Sequence, residues 1–167
     1  MKIDQNITLN DKNWFKTGGC SKFYCEPENE IEFQQAIDFA NKKNLEIFVL
    51  GEGANILISD DGFNGLTIKP KLNQLSILPT NPECEQSWCI EVLVTAQAGT
   101  HIQNLIDSCL DNNFVGLEEF SHIPGTVGGS TYINIHYLDY FLADFIESAK
   151  IINKKTLSLK TELERRP

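Results

Sequence analysis

The feature that most constrains this chain is a glycine-rich stretch over residues 122–130, His-Ile-Pro-Gly-Thr-Val-Gly-Gly-Ser. Proline fixes one backbone angle, whereas glycine tolerates positive φ and lets another group approach the main chain closely. Small residues in succession, followed by Ser130 and Thr131, present several backbone N–H groups toward one point, which suits an anion such as a phosphate. A tight turn between packed elements is the alternative, and this stretch alone leaves both interpretations open.

The composition restricts which ligands such a stretch would bind. A chain of 167 residues suggests one domain, or two small lobes that share an interface. The formal net charge is -9 and no extended basic cluster is present, which argues against nucleic-acid binding. We therefore expect an anionic ligand to bind through backbone amides and helix ends rather than through lysines.

Cysteine usage and hydropathy indicate the cellular compartment. The five cysteines are an odd number, and their spacings are not those of a zinc site. Residues 1–10 are polar and alternating, unlike a signal peptide, and no apolar run approaches the ~20 residues that span a bilayer. We expect a cytoplasmic protein with no bound metal and with neither nucleic acid nor membrane as a partner.

Hydrophobic periodicity predicts an α+β chain whose first lobe covers residues 1–72. Its predicted elements follow one another as strand, helix, strand, loop and strand, over 22–25, 30–43, 46–50, 51–55 and 63–69. The loop Gly51–Asn55, hereafter the first glycine loop, follows a buried strand, where a ligand can be received. It has neither the spacing of a dinucleotide fingerprint nor the Gly-Lys-Ser/Thr of a P-loop.

A connector is predicted over 73–89 and a second lobe over 90–167. The connector is rich in proline and polar residues, which is typical of an exposed segment. In the second lobe, an alternating strand is followed by a helix that Thr100 and Gln103 would start as a capping box. Residues 124–129, hereafter the second glycine loop, come next, and two strands are predicted over 145–152 and 157–163.

Motifs from both lobes resemble those of a known enzyme family. In chain order they are NWFKTGG (13–19), VLGEGANILISDDGF (49–63), AG (98–99), GLE (116–118) and IPGTVGG (123–129). Together they resemble the FAD-binding portion of the UDP-N-acetylenolpyruvoylglucosamine reductase (UDP-N-acetylmuramate dehydrogenase) family, from about residue 13 to residue 152. The resemblance implies a two-lobed FAD-binding fold of the vanillyl-alcohol-oxidase type. It also implies that the first glycine loop holds the pyrophosphate and that the second borders the cofactor.

The resemblance implies a set of FAD-binding residues in the two loops and beside them. They are Gly51, Glu52, Gly53, Ala54, Asn55, Ser59, Gly99, Ile123, Pro124, Gly125, Thr126, Gly128, Gly129 and Asn134. A side chain at Gly53 or Gly128 would fill the space of the diphosphate or forbid the required φ. Gly53→Val and Gly128→Val are therefore expected to abolish FAD binding while leaving most of the secondary structure intact.

The chain departs from the family pattern in three places. Ala54 stands where the family usually has serine, which removes one hydroxyl contact to phosphate, worth about 1 kcal/mol. Glu52 adds a negative charge beside the proposed diphosphate. After the second glycine loop only Asn134 of the family's Asn-x-Gly-Ala-Tyr-Gly is kept, and His136 and Asp139 replace small residues.

The function implied by the resemblance is an FAD-dependent redox role. The chain stops before the family's segment with a proton-donating serine and before its substrate-binding domain, so no catalytic residue is assigned. The substrate is then unassigned, and a homodimer or a partner polypeptide would supply the other half of the active site. The alternative is a degenerate, non-catalytic module that keeps the fold for protein association, with the aromatic residues 132–141 as its contact surface.

Overall fold

The computed structural model describes residues 1–80 and 91–162. These residues contain ten strands, three α-helices and two short 3-10 helices. The strands are β1 (Asp4–Thr8), β2 (Cys20–Cys25), β3 (Ile47–Val49), β4 (Phe63–Ile68), β5 (Leu75–Pro79), β6 (Val92–Ala96), β7 (His136–Tyr137), β8 (Tyr140–Phe141), β9 (Ala149–Ile152) and β10 (Leu159–Glu162). The helices are α1 (Glu30–Lys42), α2 (Ile102–Asp111) and α3 (Val127–Ile133). Across the described part of the chain, none of the helices is long and apolar enough to cross a membrane.

The first lobe is a four-stranded sheet in the order β1-β2-β4-β3, with α1 packed on it. β1 is antiparallel to β2, whereas β2, β4 and β3 run parallel to one another. Asn29 caps α1 by accepting a hydrogen bond from the amide of Glu32 at 3.0 Å. The predicted order of strand, helix, strand, loop and strand is confirmed. Because β3 and β4 are parallel, their carboxyl ends lie at the same edge of the sheet.

The second lobe is built around the apolar face of α2. The buried side chains of this face pack with Phe120, which is fully buried. The prediction of a connector over 73–89 is wrong for its first part, because Leu75–Pro79 form β5, which pairs with β6. Leu75 and Ile77 pack against the α2 core, and this burial favours a strand over an exposed loop. Residues 81–89 of the predicted connector lie outside the described residues.

The predicted capping box of α2 is also wrong. The helix begins at Ile102 with His101 as its N-cap, and no side chain caps it. The Thr100 hydroxyl is buried without a hydrogen-bond partner among the described residues. The Gln103 side chain instead accepts a hydrogen bond from the backbone N–H of His122 at 2.8 Å. The Gln103 side chain, which the capping-box pattern assigned to the start of α2, is thus used by His122, a residue distant in the chain.

The final hairpin packs against the first lobe. β9 and β10 pair antiparallel, as the two predicted strands would, and Ile152 packs against the core under α1. The Lys150 ammonium lies 2.7 Å from the Glu30 carboxylate at the start of α1. The predicted second lobe, 90–167, therefore ends in a hairpin that contacts the first lobe. Residues 163–167 lie outside the described part of the chain.

Candidate functional site

A cleft of about 390 Å³ lies between the lobes. The first lobe contributes the start of the first glycine loop and Lys69, and the second contributes the segment just before α2. Four of the residues predicted to bind the cofactor line it: Gly51, Glu52, Gly99 and Thr126. The first glycine loop follows β3 and Lys69 follows β4, so both come from the carboxyl edge of the parallel strands, where open α/β sheets bind ligands.

The two glycine loops meet at this cleft. A Cβ atom placed on Gly51 would lie 2.8 Å from Oγ1 of Thr126 in the second glycine loop. The second loop is in turn held against the start of α2, because the Val127 amide donates to the Thr100 carbonyl at 2.7 Å and the Ile102 amide donates to the Gly125 carbonyl at 3.0 Å. Two loops far apart in the chain therefore form one wall of the site.

The backbone amides of the two loops differ in what they are free to bind. Among the described residues, no amide of Gly51–Asn55 donates a hydrogen bond within the protein. In the second loop and the start of α3, the amides of residues 127–130 are all taken by intramolecular acceptors. Their acceptors are the carbonyls of Thr100, Ala98 and Thr126 and the Thr126 hydroxyl. The expectation that this stretch presents several free N–H groups to an anion is therefore wrong for residues 127–130, whereas the amides of Gly125 and Thr126 donate no hydrogen bond within the described residues. In the first glycine loop none of the amides donates, so it is the better anion site.

The reasons given for the two critical glycines are confirmed in one respect and extended in another: Gly53 does have a positive φ, and protein atoms also fill the space beside both glycines. A Cβ at Gly53, where φ is +70°, would lie 2.6 Å from Cα of Asn13. A Cβ at Gly128 would lie 2.8 Å from Cβ of Ala98, and one at Gly99 would lie 2.6 Å from the Pro70 carbonyl oxygen. At each of these three glycines, the space that a side chain would need is thus taken by another part of the chain.

Several other predicted residues have structural contacts outside the cleft wall. The Ser59 carbonyl accepts the amides of Gly19 and Gly62, each at 2.9 Å. Asn134 ends α3 in the left-handed conformation, and its side-chain oxygen accepts the Ala143 amide at 2.9 Å. The remaining members are not among the residues that line the cleft: Ala54, Asn55, Ile123, Pro124, Gly125 and Gly129.

A second cavity, of about 380 Å³, adjoins the cleft. It is lined by residues that precede β2, among them Asp11, Trp14 and Lys16, and it shares Glu52 and Lys69 with the cleft. A hydrogen bond from the ammonium of neighbouring Lys12 holds the pKa of Asp11 below its ordinary value. Two connected cavities suit an elongated ligand better than a compact one.

Sequence reasoning missed several residues that line the cleft: Lys69, Thr100, His101, Asn104 and Ser108. A lysine in this position differs from the expectation that an anion would meet only amides and helix ends. One available signal was the position of Lys69, directly after a buried strand that runs parallel to β3. The role of Thr100 was hidden because Thr100 and Gln103 match the pattern of a capping box.

Replacement of Thr100 by valine is expected to stabilise the protein by about 1 kcal/mol, because it exchanges an unpaired buried hydroxyl for a methyl group of similar shape. Thr126→Val is the matched control, since the Thr126 hydroxyl accepts the Gly129 amide and caps α3. Thr126→Val should lower the free energy of unfolding by about 1 kcal/mol. Urea denaturation measures both. Equal shifts of the same sign in the two variants would contradict this assignment.

The site's donor groups fit the diphosphate of a dinucleotide. Unpaired amides in the first glycine loop, the Lys69 ammonium and the unpartnered Thr100 hydroxyl supply hydrogen-bond donors at one cleft. Oriented amides and a lysine are the groups that commonly bind phosphate oxygens. The fold and the cleft define a protein that binds a nucleotide cofactor between two α+β lobes.

Comparison with known proteins identifies that cofactor. The chain belongs to the FAD binding domain family, whose model matches residues 21–159. The fold is thus the two-lobed α+β FAD-binding fold of the vanillyl-alcohol-oxidase type, and the cofactor is FAD. When bound, FAD supplies reversible transfer of hydride or of single electrons.

Several similar proteins are named as reductases of one kind. The chain is 32% identical to UDP-N-acetylenolpyruvoylglucosamine reductase of Clostridium perfringens strain 13, over 97% of this chain and 51% of the relative. It is 31% identical to the reductase of Treponema pallidum, over 89% of this chain and 40% of the relative. The crystal structure of the Thermus caldophilus reductase superposes with a TM-score of 0.74 at 19% identity, covering 98% of this chain and 53% of that one. The chain spans about half the length of the relatives it matches.

Proposed function

We propose that this protein is the flavin-carrying half of a cytoplasmic oxidoreductase and that a second polypeptide completes the substrate site. The observation that supports it most directly is the first glycine loop, whose unpaired amides border a cleft shared by both lobes. The relatives are named for the reduction of UDP-N-acetylenolpyruvoylglucosamine. We take that compound, or one with the same enolpyruvyl group, as the substrate class.

An exposed apolar surface supports the second part of this proposal. The large side chains that compose it, hereafter the aromatic surface, are Tyr132, Ile133, Tyr137, Leu138, Tyr140, Phe141 and Phe145. Tyr132 is 91% exposed and Leu138 is 73% exposed. Large apolar patches on soluble proteins are commonly contact surfaces. This surface includes the segment around His136 and Asp139, where the chain departs from its family. An altered contact with a partner accounts for both the exposure and the departure.

The test follows the bound flavin through a redox cycle. The chain is loaded with FAD, reduced anaerobically with dithionite and mixed with UDP-N-acetylenolpyruvoylglucosamine while visible flavin absorbance is recorded. We expect reversible reduction in the isolated chain but no reoxidation by this substrate. Protein isolated from its source with a stoichiometric second chain should be reoxidised by it. Rapid reoxidation of the isolated chain would remove the need for a partner, and an irreducible flavin would contradict the redox role.

A non-catalytic association module is the second candidate, and the aromatic surface is the observation that favours it. In that case the chain would self-associate through this surface whether or not FAD is present. Sedimentation equilibrium of the parent and of Tyr132→Ser/Phe141→Ser distinguishes the candidates. Leu57→Ser is the matched control, because Leu57 is 75% exposed and lies outside the surface. A dimer that only the double variant dissociates, in protein that binds no FAD, would favour this second function.

A further inference from the structure

Glu52 lies where the cleft and the second cavity meet. Its carboxylate Oε1 is 3.6 Å from Nε2 of His101 and 4.0 Å from Nζ of Lys69. Both Glu52 and Lys69 line the two cavities, and their side chains are only 27% and 15% exposed. A ligand that extends through both cavities must therefore pass this carboxylate.

The carboxylate also belongs to the loop that offers its amides to an anion. Among the described residues, Glu52 and its loop neighbours donate no backbone hydrogen bond within the protein. A diphosphate bound by those amides would stand close to the Glu52 side chain. Like charges repel strongly in a partly buried site, where water screens them less than it does at the surface.

We propose that Glu52 is an internal anion that occupies the diphosphate position of the ligand-free protein and thereby lowers its affinity for FAD. In the free protein Glu52 neutralises Lys69 across the junction of the two cavities. A bound diphosphate would take the place of the carboxylate as the anion beside Lys69, and the Glu52 side chain would have to turn away. Glu52 thus determines how tightly the cleft holds ligands that carry a diphosphate, and it does not act on the flavin ring.

The opposite role for this residue makes a different prediction. If Glu52 served to orient Lys69 and His101 for the ligand, removing its charge would weaken binding. Glu52→Gln separates the two roles because it keeps the size of the side chain and removes its charge. Glu46→Gln is the matched control, since Glu46 is exposed and precedes β3, at the opposite end of that strand from the first glycine loop.

The experiment titrates the full chain and both variants with three probes. FAD and riboflavin are followed by flavin fluorescence and ADP by calorimetry, and thermal melts establish that each variant is folded. We expect Glu52→Gln to bind FAD and ADP about tenfold more tightly than the parent, with riboflavin unchanged because it has no phosphate. At 1 M salt, where the Debye length is about 3 Å, the gain should shrink markedly. Glu46→Gln should change affinity less than about twofold.

Three results would overturn the proposal. They are an unchanged or weaker affinity of Glu52→Gln for FAD, an equal gain for riboflavin, and an equal gain in Glu46→Gln. Each of these leaves the proposed redox function standing if the parent still binds FAD and its flavin is reversibly reduced. Conversely, Glu52→Gln could show the expected gain in affinity while the flavin of the parent fails to be reduced reversibly. That result would remove the proposed function and leave the role of Glu52 intact.

Discussion

Gly53→Val is expected to lower the free energy of unfolding by at least about 3 kcal/mol, and FAD binding should be lost together with the fold. The position has φ of +70°, which is strained for any β-branched residue. Its Cβ would also lie 2.6 Å from Cα of Asn13 and 2.7 Å from the Lys12 carbonyl oxygen. Both effects act in the free protein, before a ligand is present.

The backbone at Asn13 has little freedom to move aside. Asn13 is 3% exposed, and its side-chain amide donates to the carbonyls of Leu9 and Thr17, each at 2.7 Å. The Trp14 amide also donates to the Gly53 carbonyl at 3.1 Å. Segment 13–19 is thus held in place by the bonds of Asn13 and is joined to the first glycine loop by the hydrogen bond from Trp14. A side chain at Gly53 would separate them.

Urea denaturation and circular dichroism of the alanine variants separate strain from overlap. Gly116 is the matched control, because its φ is +127° but a Cβ there meets only the Phe145 ring, at 3.4 Å. Gly116→Ala should cost about 1 kcal/mol from backbone strain alone, and Gly53→Ala should cost clearly more. A Gly53→Val protein that unfolds at the urea midpoint of the parent, yet has lost FAD, would restore the original explanation by ligand space.

The second large effect is expected at Gly128, where valine should cost about 2–3 kcal/mol and greatly weaken FAD binding. A Cβ there would lie 2.8 Å from Cβ of Ala98 and 3.0 Å from its carbonyl oxygen, the oxygen to which the Gly128 amide donates at 2.8 Å. Ala98 directly precedes Gly99 and Thr100 in the cleft wall. The displaced backbone would therefore distort the site as well as the packing.

A double-mutant cycle tests whether Ala98 is the cause. Gly128→Ala and Ala98→Gly are measured alone and together, by urea denaturation and by FAD titration. Because Ala98→Gly removes the closest atom, the double variant should recover part of the stability lost in Gly128→Ala, with a coupling of about 1 kcal/mol. Strict additivity would show that the damage has another origin. It would then lie in the approach of the new Cβ to the Ala98 carbonyl oxygen, 3.0 Å away, which Ala98→Gly leaves in place.

The candidate site was predictable in part from local patterns. The positions of both glycine loops follow from the residues that break strands and helices, and Gly51, Glu52, Gly99 and Thr126 do line the cleft. Ala98 and Asn13 could not be recognised as the reason for Gly128 and Gly53, because those contacts join parts of the chain that no local pattern relates. Similarly, the amides of residues 127–130 look free in the sequence, but the first two donate to the carbonyls of Thr100 and Ala98 before α2, and the other two donate to Thr126.

The sequence by itself determined the α+β class, most of the strands and helices, and the order of motifs that resembles the FAD-binding reductases. These features depend on hydrophobic period and on glycine and proline chemistry, which act over a few residues. Only the tertiary structure decided that Leu75–Pro79 form a strand, that Lys69 faces Glu52 in the cleft, and that the first glycine loop keeps its amides unpaired within the described residues. Each of these depends on which residues, far apart in the chain, come together to pair their backbone and side-chain groups. Only the folded chain determines that pairing.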